Sequence, residues 1–396
     1  SLYRKGTDIR MLPCSFWFLL LFAAGGLVLF IHLQDLSEMV QQQGPGDDRP
    51  LRQRCLCVPH QWPCSPAQSC QPDYISAGSG GPKERRCPAG DRPLNTSAVL
   101  LPHIFSSSSA SGSLSADRWK TLSRVLEARQ QLMKEICAKY KSSISRTITR
   151  HHVAHIYVED KYKLLYCQVP KAGCSNWKRT LMVLAGQASN AQSIKHDTVH
   201  YGNHLKRLDS FDRQGIMRRL ETYTKVVFVR EPLERLVSAY RDKFENPNNY
   251  YHSLFGKPII SKYRVNASKA ALSTGNGVTF QEFVQYLLDV HRPVGMDIHW
   301  EPANQLCNPC LLDYDFIGKF ENMEEESNFL LRRTGAPRNL TLPNFKDRNP
   351  SAERTSMQIT QKYFAQVSMW ERQRMYDFYY MDYLMFNYSK PFKDLY

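Results

Sequence analysis

The sequence predicts an α/β fold: a central parallel sheet flanked by helices, preceded by a single transmembrane helix and a flexible stem. Three observations carry this. Met11 to Ile31 is an almost unbroken apolar run. Residues 164–185 pass from an apolar run through a polar turn into a helix-patterned segment, and 225–244 do the same. Each junction carries a cation, Lys171 or Arg230, where open α/β sheets present their ligands.

The predicted division is a cytoplasmic tail at 1–10, a membrane anchor at 11–31, a lumenal stem at 32–115 and a lumenal globular domain at 116–396. The apolar run spans roughly 30 Å as a helix, one hydrocarbon core. Arg4, Lys5 and Arg10 precede it, while Asp35 and Glu38 follow. The positive-inside rule then sends the remainder to the lumen. Residues 41–115 are rich in Pro, Gly, Ser, Gln and Arg, a composition that buries too little surface to offset its ordering entropy. Cys55, Cys57, Cys64, Cys70 and Cys87 lie there, and in a lumenal stem they can pair within or between chains.

Ala116 to Tyr140 repeats Trp119, Leu122, Val125, Leu126, Leu132 and Ile136 at helical spacing, with Lys and Arg expected on a solvated face. Ile156-Tyr157-Val158 predicts a short strand. Leu164 to Val169 predicts a buried strand ending at Pro170. Lys171-Ala172-Gly173-Cys174-Ser175-Asn176 forms a small-residue turn, with Ser175 as candidate N-cap. Trp177, Leu181, Leu184 and Ala185 then mark a helix. In the second junction, Val226 to Val229 predicts a parallel strand. Pro232 fits a first helical turn. Leu233, Leu236, Val237 and Tyr240 form the apolar face, and Arg230, Glu231, Glu234 and Arg235 are suited to helix-end ion pairs.

Thr279 to His291 predicts a helix with Phe280, Phe283, Leu287 and Leu288 inward. Asp297 to Pro302 is a polar-aromatic loop suited to the rim of a sugar site. Cys307 and Cys310 form a CxxC, read as disulfide-forming because no second half-site follows. Phe316-Ile317-Gly318 predicts a strand, Met323 to Leu331 a helix, and Thr360 to Tyr388 a helical, aromatic-rich segment. Tyr376, Tyr379, Tyr380 and Tyr383 are expected in the core or at its rim. Sequons at Asn95, Asn266, Asn339 and Asn387 predict glycosylation.

The net charge of +15 favours acidic partners. No zinc-finger spacing, basic zipper or RNA-binding aromatic signature is present, so no nucleic-acid partner is expected. Strand, turn and helix N-terminus aim backbone N–H groups at an anion, and Lys171 adds a cation. The turn is not a nucleotide-kinase loop, because it lacks the Lys-Ser/Thr pair. A second such junction, with Arg230 at its mouth and Ser238 two turns on, suits a ligand with two separated phosphate groups. Two other readings stand beside this one: a membrane-anchored glycan-binding protein, and a thiol hydrolase using Cys174 at a helix N-terminus.

PKAGCSNWKR at 170–179 resembles the 5′-phosphosulfate loop of Golgi carbohydrate sulfotransferases, and REPLERLVSAYRDKF at 230–244 resembles their 3′-phosphate motif. Together with DIHW and LCNPC, they are similar to the family of HNK-1, chondroitin-4 and GalNAc-4 sulfotransferases. HYGNHLKRLDSFDRQGI and YDFYYMDYLMFNYSKPF most resemble its N-acetylgalactosamine 4-O-sulfotransferases.

The resemblance implies a P-loop-like sulfotransferase fold and the donor 3′-phosphoadenosine 5′-phosphosulfate, with no metal. It implies 4-O-sulfation of terminal N-acetylgalactosamine on glycoprotein N- and O-glycans, with chondroitin or dermatan 4-O-sulfation as the alternative. It implies a single-pass type II protein of the Golgi membrane, and homo-oligomerisation stays open. Pro170, Lys171, Ala172, Gly173, Cys174, Ser175 and Asn176 would hold the 5′-phosphosulfate. Arg230, Glu231, Pro232, Leu233, Glu234, Arg235, Leu236, Val237 and Ser238 would hold the 3′-phosphate, with Arg230 and Ser238 in direct contact. Lys171 would stabilise the leaving phosphate. His200 and His299 are the candidate general bases.

Overall fold

The computed structural model describes residues 116–140, 147–344 and 353–395. The expected anchor, stem, stem cysteines and Asn95 lie outside the described residues. Among those described, no helix is long and apolar enough to cross a membrane.

Five strands form one sheet: β1 (Ile156–Glu159), β2 (Leu164–Cys167), β3 (Lys206–Arg207), β4 (Thr224–Val229) and β5 (Phe316–Lys319), in the order β3-β1-β2-β4-β5. β2, β4 and β5 run parallel, as predicted, with Tyr166 opposite Val226 and Val226 opposite Phe316. The other half is a correction, because β1 pairs antiparallel with both β2 and β3. Only residues 160–163 join β1 to β2. So short a connection makes a hairpin, while a parallel pair needs a crossover of about a dozen residues.

The strands alternate with period two, and each face is buried. Val158, Leu165, Cys167, Val227, Val229 and Ile317 pack on one side with Met381 and Met385. Tyr157, Leu164, Tyr166, Val226, Phe228 and Phe316 pack on the other. That second face is covered by α2 (Cys174–Leu184) and by α8 (Met323–Arg333), through Trp177, Leu181, Leu184, Phe329, Leu330 and Leu331. Trp177 lies between the rings of Tyr166 and Phe228, 5.4 and 5.3 Å between centroids. It thereby seats the helix that follows the phosphate-type turn.

α1 (Ala116–Lys139) buries Leu122, Leu126, Arg129 and Met133 along one stripe. Arg129 corrects the expectation of a wholly solvated basic face. Its guanidinium donates to both carboxylate oxygens of Glu326 at 2.9 Å and to the carbonyl of Ile317 at 3.0 Å. Paired on both sides, the charge ties α1 to β5 and α8.

Between β1 and β4 lie α3 (His196–His200) and α4 (Arg213–Thr222). After β4 come α5 (Pro232–Tyr240), π-helical turns at Arg241–Glu245 and His252–Gly256, α6 (Lys257–Tyr263) and α7 (Phe280–Leu288). Thr279 and Glu282 form a reciprocal capping box that starts α7. The C-terminal helical run breaks into α9 (Met357–Phe364), α10 (Met369–Phe378) and α11 (Tyr380–Met385). The first break has a local cause: Ser368 and Glu371 form a capping box that begins a new helix. Tyr376, Tyr379 and Tyr383 are buried, and Tyr380 is partly exposed. The expected rim residue Trp300 is instead fully buried, packed edge-on against Phe255, Phe283 and Tyr286.

Cys137 is bonded to Cys310 and Cys167 to Cys307. The CxxC thus makes two long-range disulfides, to α1 and to β2. Bonds of this kind persist in oxidising compartments.

Candidate active site

β2 and β4 are adjacent and parallel, so the two predicted junctions open at the same edge of the sheet. The first is a turn from Pro170 to Gly173 leading into α2. Lys171 has φ +66° and Gly173 φ +82°, both in the left-handed region. Gly173 is favoured chiefly by its backbone conformation, and a Cβ would also make the Met323 side chain move. A Cβ there would stand 2.1 Å from Sδ of Met323, and an L side chain strains at that φ. Gly173 is also the N-cap, so α2 begins at Cys174 and Ser175 sits inside its first turn. This corrects the expected cap at Ser175. The Ser175 hydroxyl instead lies 3.1 Å from Nε2 of His200, on α3. Asn176 donates its amide to the carbonyl of Pro343 at 2.8 Å. Ala172 and Cys174 are buried, and Cys174 is the one free thiol among the described residues.

The second junction begins α5. Glu231 is its N-cap, accepting from the N–H of Glu234, and Pro232 occupies the first turn. Arg230 is 5% exposed, and its Nη1 donates to the carbonyl of Lys171 at 3.3 Å. Its Nη2 donates to the carbonyl of Thr355 at 2.6 Å, while Nε is buried with no partner. Its guanidinium carbon lies 4.6 Å from the centre of the Phe320 ring, and Arg354 stands 4.7 Å from the same ring. Burial lowers the Arg230 pKa, opposed by Glu234 and Glu321. A carboxyl at Glu231 is pushed up to about 7 by burial, although Tyr383 and the Glu234 N–H both donate to it. Leu233, Leu236 and Val237 are core residues, and Ser238 is half-buried.

Arg235 is almost wholly buried and joins this junction to the loop after α7. It donates to the carbonyls of Pro170 at 3.5 Å, His299 at 3.2 Å and Glu301. Its role is to fix two backbone segments, the Pro170 turn and the 299–301 loop, more than to meet helix-end charge. The sequence pattern gave no sign of that.

Lys171 reaches the turn after α5. Its Nζ is 3.3 Å from Asp242, which is also 3.0 Å from Nζ of Lys243. Burial lowers the Lys171 pKa, and Asp242 opposes that. The Lys243 ammonium lies 4.6 Å over the Tyr251 ring. The Tyr251 hydroxyl is 3.0 Å from Nδ1 of His299 and 3.3 Å from Oδ2 of Asp297. His299 Nδ1 in turn is 2.5 Å from Oδ1 of Asp297. With Nδ1–H held by the carboxylate, Nε2 is the nitrogen left to accept a proton. Burial lowers the His299 pKa, Asp297 raises it, and the nearby lysines lower it.

Lys171, Arg230 and His299 are therefore brought into one constellation, and His200 stands beside it on the Ser175 side. Sequence reading missed Asp242, Lys243, Tyr251 and Asp297. Lys243 and Asp242 fell within the quoted motif, and Asp297 began the quoted DIHW, so the signal was present without an assigned role. Tyr251 carried none. Among the described residues no cluster of His, Cys, Asp and Glu is placed to hold a metal ion. Asn266, Asn339 and Asn387 are exposed.

Residues 154–389 match the sulfotransferase family. The chain is 53% identical to carbohydrate sulfotransferase 8 of Homo sapiens over 99% of each chain. It is 60% identical to carbohydrate sulfotransferase 9 of Homo sapiens, over 70% of this chain and 62% of that one. It is 40% identical to carbohydrate sulfotransferase 11 of Rattus norvegicus, over 62% of this chain and 70% of that one. No solved structure matches. The matched span contains both junctions, the Asp297–His299 pair and the whole sheet, and on that ground the chain belongs to the sulfotransferase family.

Proposed function

We propose that this sulfotransferase carries a sulfuryl group from 3′-phosphoadenosine 5′-phosphosulfate to the 4-hydroxyl of terminal N-acetylgalactosamine on glycoprotein N- and O-glycans. The reading includes a lumenal catalytic domain held at the Golgi membrane by the 11–31 segment. The observation that carries the donor assignment is the direct hydrogen bond from Arg230 Nη1 to the Lys171 carbonyl. It ties the Arg230 guanidinium to the backbone of the residue that carries the second cation, at the ends of adjacent parallel strands. The partnerless Nε of Arg230 supports a ligand oxyanion there, since a buried unpaired donor costs about 1–3 kcal/mol. Residues 170–176 would cradle the 5′-phosphosulfate, and Arg230 with Ser238 would meet the 3′-phosphate. The two disulfides support an oxidising compartment.

The donor supplies the electrophilic sulfur. The new bond joins the acceptor oxygen to that sulfur, and the bond to the bridging phosphate oxygen breaks. Lys171 and the turn's N–H groups stabilise charge as it gathers on the leaving phosphate. The acceptor proton passes to Nε2 of His299, whose orientation Asp297 and Tyr251 hold. Asp242 pairs with the Lys171 ammonium at 3.3 Å. His200 is the second candidate base. Its contact with Ser175 favours a part in shaping the donor turn.

The acceptor is tested with a labelled-sulfate transfer panel: glycans ending in GalNAcβ1-4GlcNAc, chondroitin, dermatan and glucuronyl-terminated chains. Transfer to the first alone is expected. Efficient transfer to chondroitin and none to the first would replace the acceptor assignment.

A further inference from the structure

We propose that a cavity beside the reaction site binds an uncharged sugar of the acceptor glycan inward from its terminal disaccharide. This rests on the glycan-acceptor reading above. The cavity is an open cleft of ≈ 480 Å³, lined by residues that include Tyr240, Phe244, Glu245, Asn249, His252 and Asn276. That volume lies in the roughly 300–1,000 Å³ range of ligand clefts.

His252 is 6% exposed, and its Nε2 is buried with no hydrogen-bond partner. That atom is shielded from solvent, so the polar groups a ligand meets first are the exposed ones. Asn249, Asn276 and Glu245 are exposed around it. Glu245 already accepts from the Tyr363 hydroxyl at 2.5 Å and faces Arg241 at 3.6 Å. Amide side chains both donate and accept, which suits the hydroxyl pairs of a pyranose. No Lys or Arg is among the lining residues, and two that adjoin them are engaged, Arg241 by Glu245 and Arg264 by Glu282 and the Gly277 carbonyl, which disfavours a phosphate or sulfate there. The occupant that fits is a neutral polyol.

The wall is built by close backbone approach. A Cβ on Gly256 would stand 2.1 Å from the carbonyl oxygen of Gly275, and one on Gly275 would stand 1.8 Å from that of His252. These two glycines let residues 275–278 lie directly against the helical turn that holds His252.

The position of the cavity follows from its neighbours in sequence. Asp242 meets Lys171, while Glu245 lines the cavity. Tyr251 meets His299, while His252 lines the cavity. Both pairs lie on segments that include π-helical turns, Arg241–Glu245 and His252–Gly256. Such turns are frequent at functional sites. One stretch of chain thus serves the reacting sugar with some side chains and the cavity with others.

The test uses the full chain, two acceptors and one binding probe. The acceptors are a GalNAcβ1-4GlcNAc glycoside and a biantennary N-glycan carrying that terminus. The probe is the same N-glycan with terminal GalNAc removed, followed by ligand-observed NMR. Asn249→Ala and Asn276→Ala change exposed side chains. Each is expected to raise KM for the N-glycan roughly two- to tenfold, one neutral hydrogen bond's worth, with KM for the glycoside and kcat unchanged. Both are expected to weaken binding of the trimmed probe. Equal effects on the two acceptors, or no effect on either together with unchanged probe binding, would overturn the proposal. If wild-type protein sulfates neither acceptor, the acceptor assignment fails separately. The probe still decides the cavity: binding that Asn276→Ala weakens supports it, and absent or unaltered binding refutes it.

Discussion

His299 has two opposing influences on its proton, and they give a signed prediction. Burial, the larger, lowers its pKa below the ordinary 6.5, and Asp297 pulls it back up. A general base works when neutral, so the acidic limb of kcat/KM is expected below pH 6.5. Asp297→Asn removes the raising partner. The limb should move to still lower pH while kcat falls, because the imidazole is no longer held with Nε2 free. An unmoved limb in a pH–rate profile would remove His299 from the base role. His299→Ala should lower kcat by roughly 10²–10⁴-fold, the usual worth of a general base, with nucleotide binding retained. If His200→Ala shows that loss instead, the assignment moves to His200. His299 itself was legible in the sequence as one of two histidines in suggestive motifs. Its partner Tyr251 was not, because forty-odd residues of helix and loop separate them and no local pattern reports the fold that joins them.

At the scale of the element, α5 carries the second junction and depends on a buried carboxylate at its start. Glu231 caps the helix and accepts from Tyr383, yet burial pushes its carboxyl up to about 7 from 4.5. For an acid whose folded pKa is raised, the stabilising contribution is full below the unfolded value and is lost as pH rises through the folded one. Stability from this group is therefore present at pH 4.5 and below, and declines up to about 7. Glu231→Gln keeps acceptor capacity without the charge, so it should flatten that part of the pH dependence. Thermal melts between pH 5 and pH 8 check this, and an unchanged slope would show that Glu231 stays ionised in the folded protein.

The elements were largely readable because their signals are local. Apolar runs gave β2, β4 and β5, and Pro232 and Thr279 marked helix starts. The hairpin of β1 and β2 was not anticipated, although its short connection left no room for a crossover. The division of the C-terminal run was also missed, where Ser368 and Glu371 restart the helix.

Across the catalytic part of the molecule, the bonds that unite distant segments are the ones sequence reading could not pair. Cys137–Cys310 and Cys167–Cys307 span 173 and 140 residues. Cross-links over loops this long constrain the unfolded chain strongly, and losing one typically costs about 2–5 kcal/mol. Cys167→Ala with Cys307→Ala should lower the melting temperature, and reductant should then lower it further through Cys137–Cys310. A melting temperature indifferent to both would show that the disulfides contribute nothing to stability. Arg129–Glu326 and Arg235 with its three carbonyls act at the same scale. They appear in the sequence only as charges on helices, because their partners lie far along the chain.

The central claim is that Lys171 and Arg230 form one donor site from two strand ends. Calorimetric titration of adenosine 3′,5′-bisphosphate into wild type, Lys171→Ala and Arg230→Ala tests it most directly. Loss of charge-assisted bonds to phosphate, about 1.5–3 kcal/mol each, predicts binding weakened roughly ten- to 150-fold in Arg230→Ala. Lys171→Ala should bind more weakly as well, with sulfuryl transfer nearly abolished in both folded variants. Wild-type affinity in Arg230→Ala would contradict the account.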